Sequence, residues 1–265
     1  MKYMIILLAA MAISPASHAL EIETTLAPAA WSYKESMAKT TGYTASTPLA
    51  SSAGGLAALF ELRLQQSFLK NWQLGVTGEI LRSIGERNEL WFTPNNTQQN
   101  ALSIQHQEVR VNLLYNLHDF LPRFSLGGWL AWQKDVQKRR AFFVNGLAVS
   151  AARVGTVRET IQASWLGLTA LGTSEDRHFR LRLNAGMPLS VQTTNNALPG
   201  MTFNKKQGFR WTVAADYELF THATGASTRL IISYRFRQLG NEVQQAALWP
   251  KNKWRVLSLG VRQTW

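Results

Sequence analysis

Arginines and carboxylates recur at every second position of several short segments, and this spacing is the main chemical resource of the chain. The segment "FRLRLNAGM" (179–187) carries Arg180 and Arg182, and "FRWTVAADYEL" (209–219) carries Arg210, Asp216 and Glu218. In "VRVNLLYNL" (109–117), Arg110 and Asn112 alternate with Val109, Val111, Leu113, Tyr115 and Leu117. Successive side chains of a β-strand point to opposite faces, so each segment has one greasy face and one charged face. The charged faces together hold Glu61, Arg63, Glu79, Glu108, Arg110, Arg180, Arg182, Arg210, Asp216, Glu218, Arg229, Arg235, Arg237 and Arg262. If these side chains share one enclosed space, two kinds of chemistry are open to them. They can pair into an ion network, or the nine arginines, set against five carboxylates, can capture anions bidentately.

Ten segments carry the pattern, near 22–33, 56–66, 71–82, 107–117, 123–133, 158–171, 178–187, 208–219, 228–237 and 254–265. The connections between them alternate in length. Short ones carry turn chemistry, as in "FLKN", "HDFLP", "GTSED" and "THATGAS". Long ones lie near 34–55, 83–106, 134–157, 188–207 and 238–253. Short turns on one side and long loops on the other, with no apolar run long enough for a membrane helix, fit a closed antiparallel transmembrane barrel. Both termini then fall on the periplasmic side. The segment 141–156 is unusually apolar for a loop. It extends the fifth and sixth strands, folds into the lumen, or adds a hairpin that makes twelve strands.

Residues 1–19 read as a cleavable signal peptide, with Lys2, an apolar core over 4–13, Pro15, and the small residues Ser17 and Ala19 before the cut. The barrel domain is then 20–265. There is no cysteine, which excludes disulfides, thiol catalysis and Cys metal sites. The formal net charge is +12. In an exported chain this points to a phosphate-rich membrane surface or acidic ligands rather than nucleic acid.

The C-terminal "LSLGVRQTW" sets Leu257, Leu259 and Val261 in alternation behind a final Trp265. It resembles the last strand of Gram-negative outer-membrane β-barrel proteins, although Gln263 stands where an apolar residue or Tyr is commoner. The resemblance is to the class, and the signal, the strand pattern and the last strand all carry it. It implies residence in the outer membrane, contact with its lipids and lipopolysaccharide, and reading of the last strand by the barrel-assembly machinery. A monomer is expected. Aromatic girdles are expected from Trp72, Phe124, Phe179 and Trp265 at one interface and from Trp132, Phe209, Trp211, Phe236 and Trp254 at the other.

Catalytic chemistry finds little support. Ten strands with five long loops is also the topology of the omptin proteases, which need Asp and Asp–His pairs at the upper rim. The connection near 188–207 has neither residue, and the one near 83–106 has Glu86 and Glu89 but no Asp. His106, with Ser103 close in sequence, is the one hint of a His–Ser pair for a hydrolase. No two histidines have metal-ligand spacing, and no cofactor motif occurs. A second charged group, Lys138, Arg139, Arg140, Lys205, Lys206, Lys251 and Lys253, gathers at the extracellular side. It reads as a solvated loop surface or as a patch for lipopolysaccharide phosphates. The sequence therefore predicts a non-enzymatic surface barrel with ligand-contacting loops and an Arg-rich lumen. A narrow anion-favouring channel is the alternative, and an outer-membrane hydrolase is the third option.

Overall fold

A computed structural model describes residues 20–36, 50–92, 96–117, 123–150, 154–204, 207–244 and 247–265. Residues 1–19, where a signal peptide is expected, and Lys205 and Lys206 lie outside the described residues. In chain order the strands are β1 (Leu20–Ser36), β2 (Ala50–Leu69), β3 (Trp72–Ser83), β4 (Arg87–Phe92), β5 (Thr97–Asn116), β6 (Phe124–Val144), β7 (Leu147–Ala148) and β8 (Val157–Thr173). Then follow β9 (Phe179–Asn195), β10 (Thr202–Asn204), β11 (Gly208–Thr221), β12 (Ser227–Leu239), β13 (Glu242–Gln244), β14 (Ala247–Trp249) and β15 (Lys251–Thr264).

Among the described residues, ten strands form a closed antiparallel ring in the order β1-β2-β3-β5-β6-β8-β9-β11-β12-β15. The ring shuts where Glu23 faces Thr264 and Ser36 faces Lys251. Every backbone donor and acceptor of a central strand can then pair within the ring, which is what a lipid surround demands. The strands outrun the predicted segments at the end opposite the termini. After a break at 84–86, β4 takes over the line of β3, pairing with both β2 and β5. Within the apolar segment 141–156, β6 runs on to Val144. The chain then turns at Asn145 (φ 51) and Gly146 (φ 81) and returns as β7. Much of what reads as long loop is thus strand standing above the apolar zone.

The outward face shows where that zone ends. On β6 the outward residues are Leu126, Leu130 and Trp132, and then Lys134, Lys138 and Arg140. On β15 they are Val261, Leu259 and Leu257, and then Arg255 and Lys253. Leu56, Ile80, Leu113, Leu166, Leu183 and Ile232 continue the exposed apolar belt around the ring. A bulge at Leu189 on β9 switches the inward parity, from Asn184 below it to Val191 and Thr193 above it.

The inward face is not uniformly polar. It also carries two apolar clusters. One includes Trp31, Leu59, Leu81, Leu102 and Val256, and the other includes Trp129, Ile161, Trp165, Val191 and Leu239. Gly167 and Gly186 make a notch for the indole of Trp129, since a Cβ on Gly167 would lie 2.1 Å from that ring.

Candidate functional site: a bridged lumen and a basic outer collar

The alternation of each strand delivers the charged side chains inward, and ring closure brings them together. Nearest the termini, Arg63 on β2 holds Glu23 on β1 at 2.6 Å and Glu61 at 3.2 Å. Arg262 on β15 reaches Glu61 at 3.0 Å and Asp216 on β11 at 3.1 Å. Arg180 on β9 lies 3.1 Å from both Asp216 and Glu23. Arg229 on β12 contacts Asp216 and holds Glu218 at 2.7 Å. Arg262 and Glu23 thus join the carboxylates of β1 and β2 to the Asp216 cluster. Arg182 faces the same space, half-buried, with no ion-pair partner among the described residues.

In the middle, Arg110 pairs with Glu108 at 2.6 Å, and Arg210 contacts the same carboxylate from the other wall. The Arg210 guanidinium lies 4.3 Å over Trp129 and 4.8 Å over Trp165, both within cation–π range. Arg235 contacts Glu79, and Arg237 contacts Asp135. His106 Nδ1 is 2.6 Å from Asp135, and the His106 ring packs against Trp254 at 5.0 Å.

Highest in the lumen, and above the belt, Arg139 binds Glu89 at 2.7 Å, Glu159 at 2.9 Å and Glu35 at 3.6 Å. Burial opposes its charge, but the three carboxylates outweigh burial and hold the guanidinium protonated. Burial likewise raises the Glu89 carboxyl, yet Arg139 and the Asn100 amide hold it below the usual carboxylate range.

Several sequence expectations change here. Arg139 does not belong to an extracellular patch. Neighbours on a strand point to opposite faces, so Lys138 and Arg140 stand outside while Arg139 turns inward. Trp254 faces the lumen rather than a girdle. Ser103 and His106 differ in parity and lie on opposite sides of the wall, so they form no dyad. The expected arginine excess disappears among the described residues. Arg63, Arg110, Arg139, Arg180, Arg210, Arg229, Arg235, Arg237 and Arg262 meet Glu23, Glu35, Glu61, Glu79, Glu89, Glu108, Asp135, Glu159, Asp216 and Glu218, and Arg182 stands beside them without an ion pair. The sequence expectation left Glu23, Glu35, Asp135 and Glu159 out of the lumen and placed Glu89 in a loop. The available signal was parity, because Asp135 and Arg139 share the register of Gln133.

On the outside, Lys34, Arg82, Lys134, Lys138, Arg140, Lys251, Lys253 and Arg255 form a basic collar beyond the belt. Within it, Arg140 is neutralised by Glu86 at 2.5 Å. Leu257, Leu259, Val261 and Trp265 all face outward in the belt. Gln263 accepts a hydrogen bond from Thr228 at 2.6 Å, so its amide is spent along the ladder.

No protein-family model matches the chain, and no curated protein matches it. Among solved structures, it is similar to the outer membrane protease OmpT from Escherichia coli. The TM-score is 0.64 at 13% identity, covering 95% of this chain and 98% of that one. Ail, the attachment invasion locus protein of Yersinia pestis, matches at a TM-score of 0.35 and 12% identity over 92% of this chain and 98% of its own. OprG from Pseudomonas aeruginosa matches at 0.34 and 12% over 94% and 97%. Scores this low for the last two carry no argument. The OmpT likeness, at its low identity, establishes the fold alone. The chain has the architecture of a Gram-negative outer-membrane β-barrel, and its apolar belt is the one such a barrel presents to lipid.

Proposed function

We propose that the protein is a closed, non-enzymatic outer-membrane barrel that works at its outer surface, with its termini on the periplasmic side. One observation carries the reading. Five ion pairs cross the lumen between strands four places apart in the ring of ten, one short of diametric. They are Arg180–Glu23, Arg210–Glu108, Arg235–Glu79, Arg237–Asp135 and Arg139–Glu35. A lumen bridged at successive heights, with tryptophans packed between the bridges, acts as a plug. Removing charges from water is costly, and these pairs offset that cost by binding one another.

The outer collar then supplies the contact with the environment. Basic side chains just beyond an apolar belt meet the phosphate layer of the outer leaflet, where each is worth about 1 kcal/mol. The assembly role of Leu257, Leu259, Val261 and Trp265 and the monomeric state belong to the same proposal. The alternative of a narrow anion path is favoured by one residue, the lumen-facing Arg182 with no ion-pair partner. Single-channel recording on the refolded barrel decides between them. The plug predicts no conductance, and none appearing on Arg182→Ala. A steady anion-selective current abolished by Arg182→Ala would establish the channel instead.

A further inference from the structure

The ring shuts where β15 meets β1, and on the outer face of that seam Lys34 stands directly opposite Lys253 in the ladder. Arg255 stands opposite Ser32, and Lys251 stands opposite Ser36. Like charges paired directly across two strands repel. Among the described residues, none of these four cations has a carboxylate partner, whereas Arg140 on the far wall has Glu86. The seam is therefore an uncompensated positive site, sitting immediately beyond the outward Leu257 and Leu259 of the belt.

A second feature adjoins it. The Arg255 guanidinium lies 5.9 Å over the ring of Phe236, which stacks on Trp211 at 5.9 Å. Cations above, an aromatic shelf beside and apolar wall below match an amphipathic anion that lies along the barrel. A small anion from solution would have no use for the shelf or the belt.

From this geometry we infer that the β15–β1 seam binds the phosphorylated sugar head of lipid A, and that the bound phosphate clamps the first strand to the last. The inference rests on the basic-collar reading and names its principal site. Such a site exists only while the two strands are paired. Its occupant therefore binds the closed barrel and not the open chain, and stabilises it by mass action.

The test uses the mature protein refolded in phosphatidylcholine vesicles with or without bisphosphoryl lipid A, followed by thermal unfolding. Lipid A should raise the wild-type midpoint. The variant Lys34→Gln/Lys253→Gln/Arg255→Gln should equal or exceed wild type in phosphatidylcholine alone, because the like-charge pair is gone. It should then respond to lipid A about a hundredfold more weakly, at about fivefold per lost cation. A control on the other wall, Lys134→Gln/Lys138→Gln/Arg140→Gln, should keep most of the gain. If the seam variant keeps the full gain and the control loses it, the seam assignment fails while the collar reading stands. If wild type gains nothing, both fail. An equal gain from inorganic phosphate alone overturns the lipid source. Should the triple variant not refold, Lys253→Gln by itself carries the same comparison.

Discussion

Arg235 on β12 and Glu79 on β3 touch across the lumen although 156 residues separate them in the chain. The contact can form only after both halves of the barrel have curled toward each other. It therefore reports ring closure, whereas ladder pairing between neighbouring strands does not. Arg235 also lies 3.6 Å from Glu61, and His106 Nε2 lies 3.5 Å from Glu79, so the pair sits inside a wider network.

Breaking that pair should cost more than deleting it. Glu79→Leu leaves a buried guanidinium short of its main anion, at a cost of about 3–5 kcal/mol. The double variant Glu79→Leu/Arg235→Leu should be clearly more stable than the sum of the two single losses. Residues in one network commonly couple by about 0.5–3 kcal/mol. Urea unfolding of all four proteins in the same lipid measures this. Simple additivity would show that the contact contributes nothing.

The Trp129 notch gives a second prediction. A Cβ on Gly186 would meet the Trp129 ring at 2.5 Å and the Leu166 carbonyl at 2.7 Å, and the latter is backbone that cannot swing away. Gly186→Ala should destabilise the barrel by about 1–3 kcal/mol through overpacking. Trimming the indole with Trp129→Phe should restore only part of that, because the carbonyl clash remains. Thermal midpoints of the two variants and their combination check the point.

The sequence shows the lower half of this barrel well and the upper half poorly, for one physical reason. Below, lipid surrounds the wall and the alternation on "FRLRLNAGM" divides cleanly into greasy and charged. Above, water surrounds the wall. There the outward residues of β6 become Lys134, Lys138 and Arg140, while the inward ones are Asp135, Gln137 and Arg139, so both faces are polar. The period of two persists, but the chemistry of its two faces changes, so a search for greasy-out alternation stops too early. This is why Arg139 reads as part of a "KRR" patch and Glu89 as a loop carboxylate, and why Glu35 and Glu159 go unnoticed. The cross-lumen partners are a separate matter. Which of ten carboxylates meets which arginine depends on ring order and stagger, and no single strand encodes either.

Ser103 and His106 give a third prediction, from their opposite faces. Ser103 looks outward beside Lys138, so Ser103→Ala should change stability within about 0.5 kcal/mol. His106 is buried against Asp135, Glu79 and Trp254. His106→Ala should cost about 1–3 kcal/mol by leaving buried carboxylate oxygens short of a partner. Equal effects of the two variants in urea unfolding would contradict the placement.

Acid should loosen the upper barrel through Glu89. Its carboxyl is pulled below the usual range by Arg139 and Asn100 despite burial. A carboxylate whose folded pKa is depressed contributes stability above its unfolded value and loses it as pH falls through the folded value. The region holding β4 should therefore be insensitive from neutral pH down to the ordinary glutamate pKa of about 4.3, and weaken only below it. Glu89→Gln should flatten that acid limb and lower stability at neutral pH, since Arg139 keeps only Glu159 and Glu35. Protease sensitivity of the β4–β5 hairpin, followed from pH 7 downward in wild type and Glu89→Gln, reads both effects. An acid limb of unchanged depth in the variant would assign the transition to Glu159 or Glu35 instead.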